Sequence, residues 1–155
     1  MMVSWWDGYA IFTGNIDNIS NLITKRFIYE GKHVPTKVEE NKIVFPEDFI
    51  PWDLLLLDAV WAFIGFEQNH DIKKTDTPGI YEVSVSWDQV GFLPAEKLST
   101  IAKRNNLAIE AEGIILDWEF KQHIIVNNCG EILLNECIEY HREDYDPYDD
   151  YKKIK

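Results

Sequence analysis

The chain has 155 residues, 46% of them hydrophobic and 14% aromatic, with six Trp; this suffices for one domain with its own core and excludes the disordered class. Fifteen Lys and Arg against 27 Asp and Glu leave a formal net charge of −12, so phosphate backbones and anionic lipid are repelled. The basic residues fall as isolated pairs, Lys25-Arg26, Lys73-Lys74 and Lys103-Arg104, which excludes direct nucleic-acid binding and favours a basic protein as partner.

In chain order, Val3 to Phe12 reads as a strand with Val3, Trp5, Tyr9 and Ile11 on one face, broken by Thr13-Gly14-Asn15. Ile16, Ile19, Leu22, Ile23 and Phe27 then recur at helical spacing, with Asn15 or Asp17 as cap and Gly31 as stop. A short strand at Lys42 to Phe45 follows. Asp53 caps a predicted helix from Leu54 to about Gln68, apolar nearly all round and therefore buried on most sides or docked to a partner. Asn69 to Gly79 is loop with a Thr77-Pro78-Gly79 turn. Tyr81, Val83, Val85 and Trp87 alternate with polar residues, the pattern of a half-buried strand.

Gly91 and Pro94 introduce a helix carrying Leu98, Ile101 and Ala102, stopped by Asn105-Asn106. Strands are expected at Leu107 to Ala111, Ile114 to Val126 and Glu131 to Tyr140, with turns at Glu112-Gly113 and Asn127-Asn128-Cys129-Gly130. The expected fold is α+β: a mainly antiparallel sheet with helices packed on one face. Residues 1–140 would form a single domain and 141–155 a charged, Tyr-rich tail. Met1 to Asp7 lacks the basic and apolar regions of a signal peptide, and Leu54 to Phe66 holds Asp58 and is too short to span a bilayer. A cytoplasmic protein is expected, with Cys129 and Cys137 reduced and no cofactor or metal.

Several stretches of the sequence resemble the YubB-like ferredoxin-fold proteins of phage and plasmid genomes. They are the Trp-containing first strand running into Phe12-Thr13-Gly14, Phe49-Ile50-Pro51, Val85-Ser86-Trp87 ahead of Pro94, and the Glu112-Gly113 and Asn127 to Gly130 turns. The stretch from Tyr81 to Glu131 matches best. The resemblance implies a ferredoxin-like sheet and a mobile-element origin, and it brings no catalytic residues.

Two constellations stand out. Asp117, Glu119, Lys121 and His123 alternate along one predicted strand and would share a face, as acid–base groups, metal ligands or simply a solvated side opposite Leu116, Trp118, Phe120 and Ile124. The acidic tail Glu143, Asp144, Tyr145, Asp146, Tyr148, Asp149 and Asp150, with Glu139 before it, interleaves carboxylates and tyrosines. It reads as a solubilising tail or as a clamp on a basic partner. Of the adjacent indoles Trp5 and Trp6, one belongs in the core and Trp6 is expected as an exposed anchor.

The first functional reading is a non-enzymatic inhibitor of a basic host or toxin protein, using Trp6 and the tail. The alternatives are an enzyme built on Asp117, Glu119 and His123, and a homodimer or higher oligomer joined through exposed strand edges.

Overall fold

A computed structural model describes residues 4–29, 32–33, 36–45, 55–56, 62–66 and 72–140. The elements are β1 (Trp5–Gly14), α1 (Ile16–Lys25), β2 (Phe27–Tyr29), β3 (Lys32–His33), β4 (Lys37–Glu39), β5 (Lys42–Val44), β6 (Leu55–Leu56), β7 (Ala62–Phe66), β8 (Lys73–Lys74), β9 (Tyr81–Val90), α2 (Ala95–Asn105), β10 (Ala108–Ile115), a 3-10 turn at Leu116–Trp118, β11 (Phe120–Val126) and β12 (Ile132–Glu139). The main sheet runs β12-β11-β10-β1-β9-β7, with β8 also paired to β9, and every pair in it is antiparallel. The architecture is α+β.

Local chemistry explains the helices. The Asn15 side chain accepts from the Asn18 amide at 2.8 Å, capping α1, while Asp17 and Lys25 complement the helix dipole at either end. Ile19, Leu22 and Ile23 form its buried stripe. The helix ends at Lys25, before Gly31, and Phe27 belongs to β2. Pro94 precedes α2, and Asn106 closes it in the left-handed region, with the Leu107 amide returning to the Ala102 carbonyl at 3.1 Å.

Both helices share one core with a single face of the sheet. Phe12, Val85, Trp87, Ile109 and Ile124 pack with Ile19, Leu22, Ile23, Leu98, Ile101 and Ala102. At its centre the indole of Trp6, fully buried, lies across two glycines paired between β1 and β10, Gly8 and Gly113. A Cβ on Gly113 would stand 2.6 Å from the Trp6 ring and 2.7 Å from the Asp7 carbonyl oxygen; one on Gly8 would strike the Glu112 carbonyl. Glycine is required here for close approach of ring and backbone.

Three sequence expectations are corrected. Glu112-Gly113 is no turn but the middle of β10, because Gly113 accommodates Trp6. The expected strand from Ile114 to Val126 is split: the chain turns through Leu116–Trp118, and Glu119 takes φ +55°. The helix expected over Leu54 to Gln68 is absent from the described part of that range. Leu55–Leu56 pairs with β2, and Ala62–Phe66 pairs with β9, where Ile64 and Phe66 enter the core. An almost uniformly apolar run satisfies either period, and the free edge of β9 selects strand.

Elsewhere the expected strands extend. β1 continues through Thr13-Gly14, and β9 reaches Val90. The Thr77–Gly79 turn is present: the Ile80 amide donates to the Thr77 carbonyl at 3.1 Å, and Gly79 has φ +80°. The tail Glu143 to Asp150 lies outside the described residues. Among the described residues, no helix is long and apolar enough to cross a membrane.

Gly113→Ala is expected to lower unfolding free energy by about 3 kcal/mol through overpacking against Trp6, read as an earlier urea midpoint. An unchanged midpoint would mean that ring and backbone do not meet as described.

Candidate functional site

The face of the sheet opposite the helices carries a polar row that crosses five strands. Register places Ser86 opposite Tyr9, Tyr9 opposite Glu112, Glu112 opposite His123, and His123 opposite Glu136. The Tyr9 hydroxyl donates to Glu112 Oε2 at 2.9 Å, and Lys121 Nζ lies 3.0 Å from Glu112 Oε1. His123 Nε2 stands 3.7 Å from Glu110 Oε2, beyond hydrogen-bond reach.

The expected quartet is therefore broken up. Lys121 and His123 do share a face, two residues apart on β11. Asp117 and Glu119 do not join them: Asp117 sits in the 3-10 turn and Glu119 closes it, its amide donating to the Leu116 carbonyl at 3.2 Å. Alternation cannot pass through a left-handed residue. The carboxylates that meet Lys121 and His123 come instead from the neighbouring strand, Glu112 and Glu110. Their signal was legible as Ile109-x-Ala111-x-Gly113 alternating with the two glutamates, once Gly113 is read as a site of close approach rather than a turn.

Chemically, Glu112 is engaged by both a hydroxyl and an ammonium. Cross-strand pairs of this kind tie β1, β10 and β11 together. Among the described residues, no group of three or more His, Cys, Asp or Glu side chains is placed to hold a metal ion.

A second feature lies at the end of the sheet where β9 and β10 finish and β11 begins. Phe92 stacks at 5.4 Å from Trp118 and 5.7 Å from Phe120, yet Phe92 remains 42% and Trp118 45% exposed. The sequence reading placed Trp118 inside; the turn swings it out.

The loop bearing Phe92 is held by side-chain amides. Gln122 accepts from the Leu93 amide at 2.9 Å and donates to its carbonyl at 2.8 Å. Trp87 Nε1 donates to Gln89 at 3.1 Å, and Gln89 in turn donates to the Phe92 carbonyl at 2.9 Å. Such anchoring limits the entropy lost when a partner binds. Asp117 is exposed beside these rings, and Glu139 is paired in register with Phe120.

Trp6 is not the expected surface anchor. It points to the helix side and is sealed in the core, whereas Trp5, on the other face, is 44% exposed. Of the proposed partner-binding residues, Glu139 is exposed at the end of β12, while Glu143, Asp144, Tyr145, Asp146, Tyr148, Asp149 and Asp150 lie outside the described residues. Cys129 and Cys137 are exposed free thiols, and partial burial pushes the Cys137 thiol above its ordinary pKa.

Compared with protein-family models, with curated proteins and with solved structures, the chain matches none.

Glu112→Ala removes the acceptor shared by Tyr9 and Lys121 and should cost about 2 kcal/mol of stability in chemical denaturation. A cost below about 0.5 kcal/mol, the range of ordinary surface substitutions, would mean the three groups are not coupled. Because its thiolate fraction is reduced at pH 8, Cys137 should react more slowly with iodoacetamide than an unperturbed peptide cysteine does. Peptide mass spectrometry over time reads this, and equal rates would contradict the raised pKa.

Proposed function

We propose that this chain is a non-enzymatic, acidic protein-binding module that inhibits a basic, nucleic-acid-handling protein of the cytoplasm. The observation that carries this reading is the exposed Phe92–Trp118 pair on an amide-anchored loop and turn, with Asp117 and Glu139 nearby. Rigid aromatics flanked by charge have the composition of an interface hot spot, and a net charge of −12 directs them to a basic partner.

We also infer a ferredoxin-like core. The order β10-β1-β9-β7, with α1 following β1 and α2 preceding β10, supports it. This agrees with the resemblance to YubB-like phage and plasmid proteins, and with an anti-defence or toxin-immunity role. Fold alone does not assign that role, since such sheets host many activities; the surface chemistry favours it. In this mechanism Phe92 and Trp118 anchor the partner. The carboxylates of Glu139, Glu143, Asp144, Asp146, Asp149 and Asp150 occupy a cleft shaped for phosphates.

The purified chain, incubated with host lysate and eluted by rising salt, should release a basic nucleic-acid enzyme whose activity it inhibits. Phe92→Ala with Trp118→Ala should weaken that binding by about 2 kcal/mol, roughly 30-fold, while changing the unfolding midpoint little. Retention indifferent to salt and to the double substitution would sink the reading.

A further inference from the structure

The edge of the main sheet at β12 is unusually open. Its eight residues, Ile132–Glu139, are exposed except for Leu134, which is half-buried. Among the described residues, no strand pairs with its outer side. Leu133 and Ile138 are 57% and 53% exposed. Proteins ordinarily blunt a long edge with lysine, proline or a covering element, because unpaired backbone groups template another strand. β12 contains neither Lys nor Pro.

The backbone phase can be read from one bond. The Tyr140 amide donates to the Glu119 carbonyl at 2.8 Å, and antiparallel ladders alternate bonded with non-bonded pairs. Ile138, Glu136 and Leu134 therefore share Tyr140's phase and turn their backbone groups toward β11. Asn135, Cys137 and Glu139 turn theirs outward. On the helix-free face, Leu134, Glu136 and Ile138 stand opposite Ile125, His123 and Lys121. On the other face Glu139 meets the register of Phe120, so the edge runs into the aromatic end of the sheet.

We propose that β12 is a strand-addition site for an extended, basic segment of the partner protein. The inference rests on the binding reading above and names the partner's chemistry at this edge. Across from Leu134, Glu136 and Ile138 the added strand carries an apolar, a basic and an apolar residue; a second basic residue meets Glu139. Backbone bonds to Asn135, Cys137 and Glu139 supply affinity, and the alternating side chains supply selection. A second copy of this chain fits less well, since it brings the same glutamates, and a net charge of −12, to an edge without cations.

The test uses the full chain and a short synthetic peptide of alternating valine and threonine carrying two lysines, with a glutamate-for-lysine counterpart as control. Hydrogen exchange should slow selectively at the amides of Asn135, Cys137 and Glu139 with the lysine peptide and not with the glutamate one. Cys137→Pro removes one outward amide without removing a bond to β11, and should weaken peptide binding about tenfold. Glu136→Lys with Glu139→Lys should reverse the charge preference and guards against a proline variant that fails to fold. Lysine-peptide binding that leaves the edge amides unprotected, or no binding of either peptide, would overturn the proposal. So would a concentration-dependent dimer that the charge reversal abolishes. If a basic partner is still captured by the charge-reversed edge but lost on Phe92→Ala with Trp118→Ala, the edge assignment fails while the binding function stands. Edge protection without any inhibited partner would show the converse.

Discussion

The centre of this protein is one indole laid on two glycines. Trp6 packs across Gly8 and Gly113 where β1 and β10 are paired, and any side chain at either position would collide with the ring or with the backbone of the neighbouring strand. The buried Trp6 Nε1 makes no hydrogen bond. Leaving that donor dry costs roughly 1–3 kcal/mol, whereas removing about 200 Å² of aromatic surface from water contributes about 5 kcal/mol. Packing wins over polar satisfaction here, and the ring is held by shape alone.

That contact organises the two sides of the sheet differently. On the helix side, small residues on β1 and β10, Gly8, Ala10, Ala111 and Gly113, leave room for Trp6 beneath α1 and α2. On the other side the same strands project Tyr9, Glu110 and Glu112. Two cross-strand ion pairs, Lys121 with Glu112 and His123 with Glu110, knit that face together. The polar row thus has a structural account, and the chemistry available to a partner lies at the periphery. The peripheral groups are nonetheless placed by the core. Gln122 brackets Leu93 from β11, Gln89 holds the Phe92 carbonyl from β9, and the hairpin after β11 is pinned by Ser99 donating to the Gly130 carbonyl. A surface loop positioned by a rigid sheet is a common way to present recognition groups.

The elements legible in the residues alone were those with strong local signals. β9 shows uninterrupted alternation from Tyr81 to Trp87. α1 has its Asn15 cap and a stripe of Ile and Leu, and α2 lies between Pro94 and Asn106. The β11–β12 hairpin has Asn127 and Gly130, where the Asn127 side chain accepts from the Cys129 and Glu131 amides and Gly130 takes φ +86°. Gly113 misled because a glycine serves equally as a turn and as a place for a neighbour's ring. Of the four charged residues expected on one strand face, Lys121 and His123 were placed correctly relative to one another. Their partners were not, because β10 supplies them across the sheet. The aromatic end escaped notice for the same reason, since Phe92, Trp118 and Phe120 come together only when a loop and a turn converge.

Sequence by itself determined the class of the molecule. An acidic chain with apolar alternation, capped helices and Asn-Gly turns forms an α+β domain whose charge opposes nucleic acid and lipid, because those signals act within a few residues or sum over the whole chain. Tertiary structure decided which of two adjacent tryptophans is core, which glutamates meet Lys121 and His123, whether Ala62 to Phe66 is helix or strand, and which strand is left as an edge. Each of these depends on what another segment, tens of residues away, presents to the same space. Pairing and burial are properties of both partners, and neither side of the pair encodes them alone.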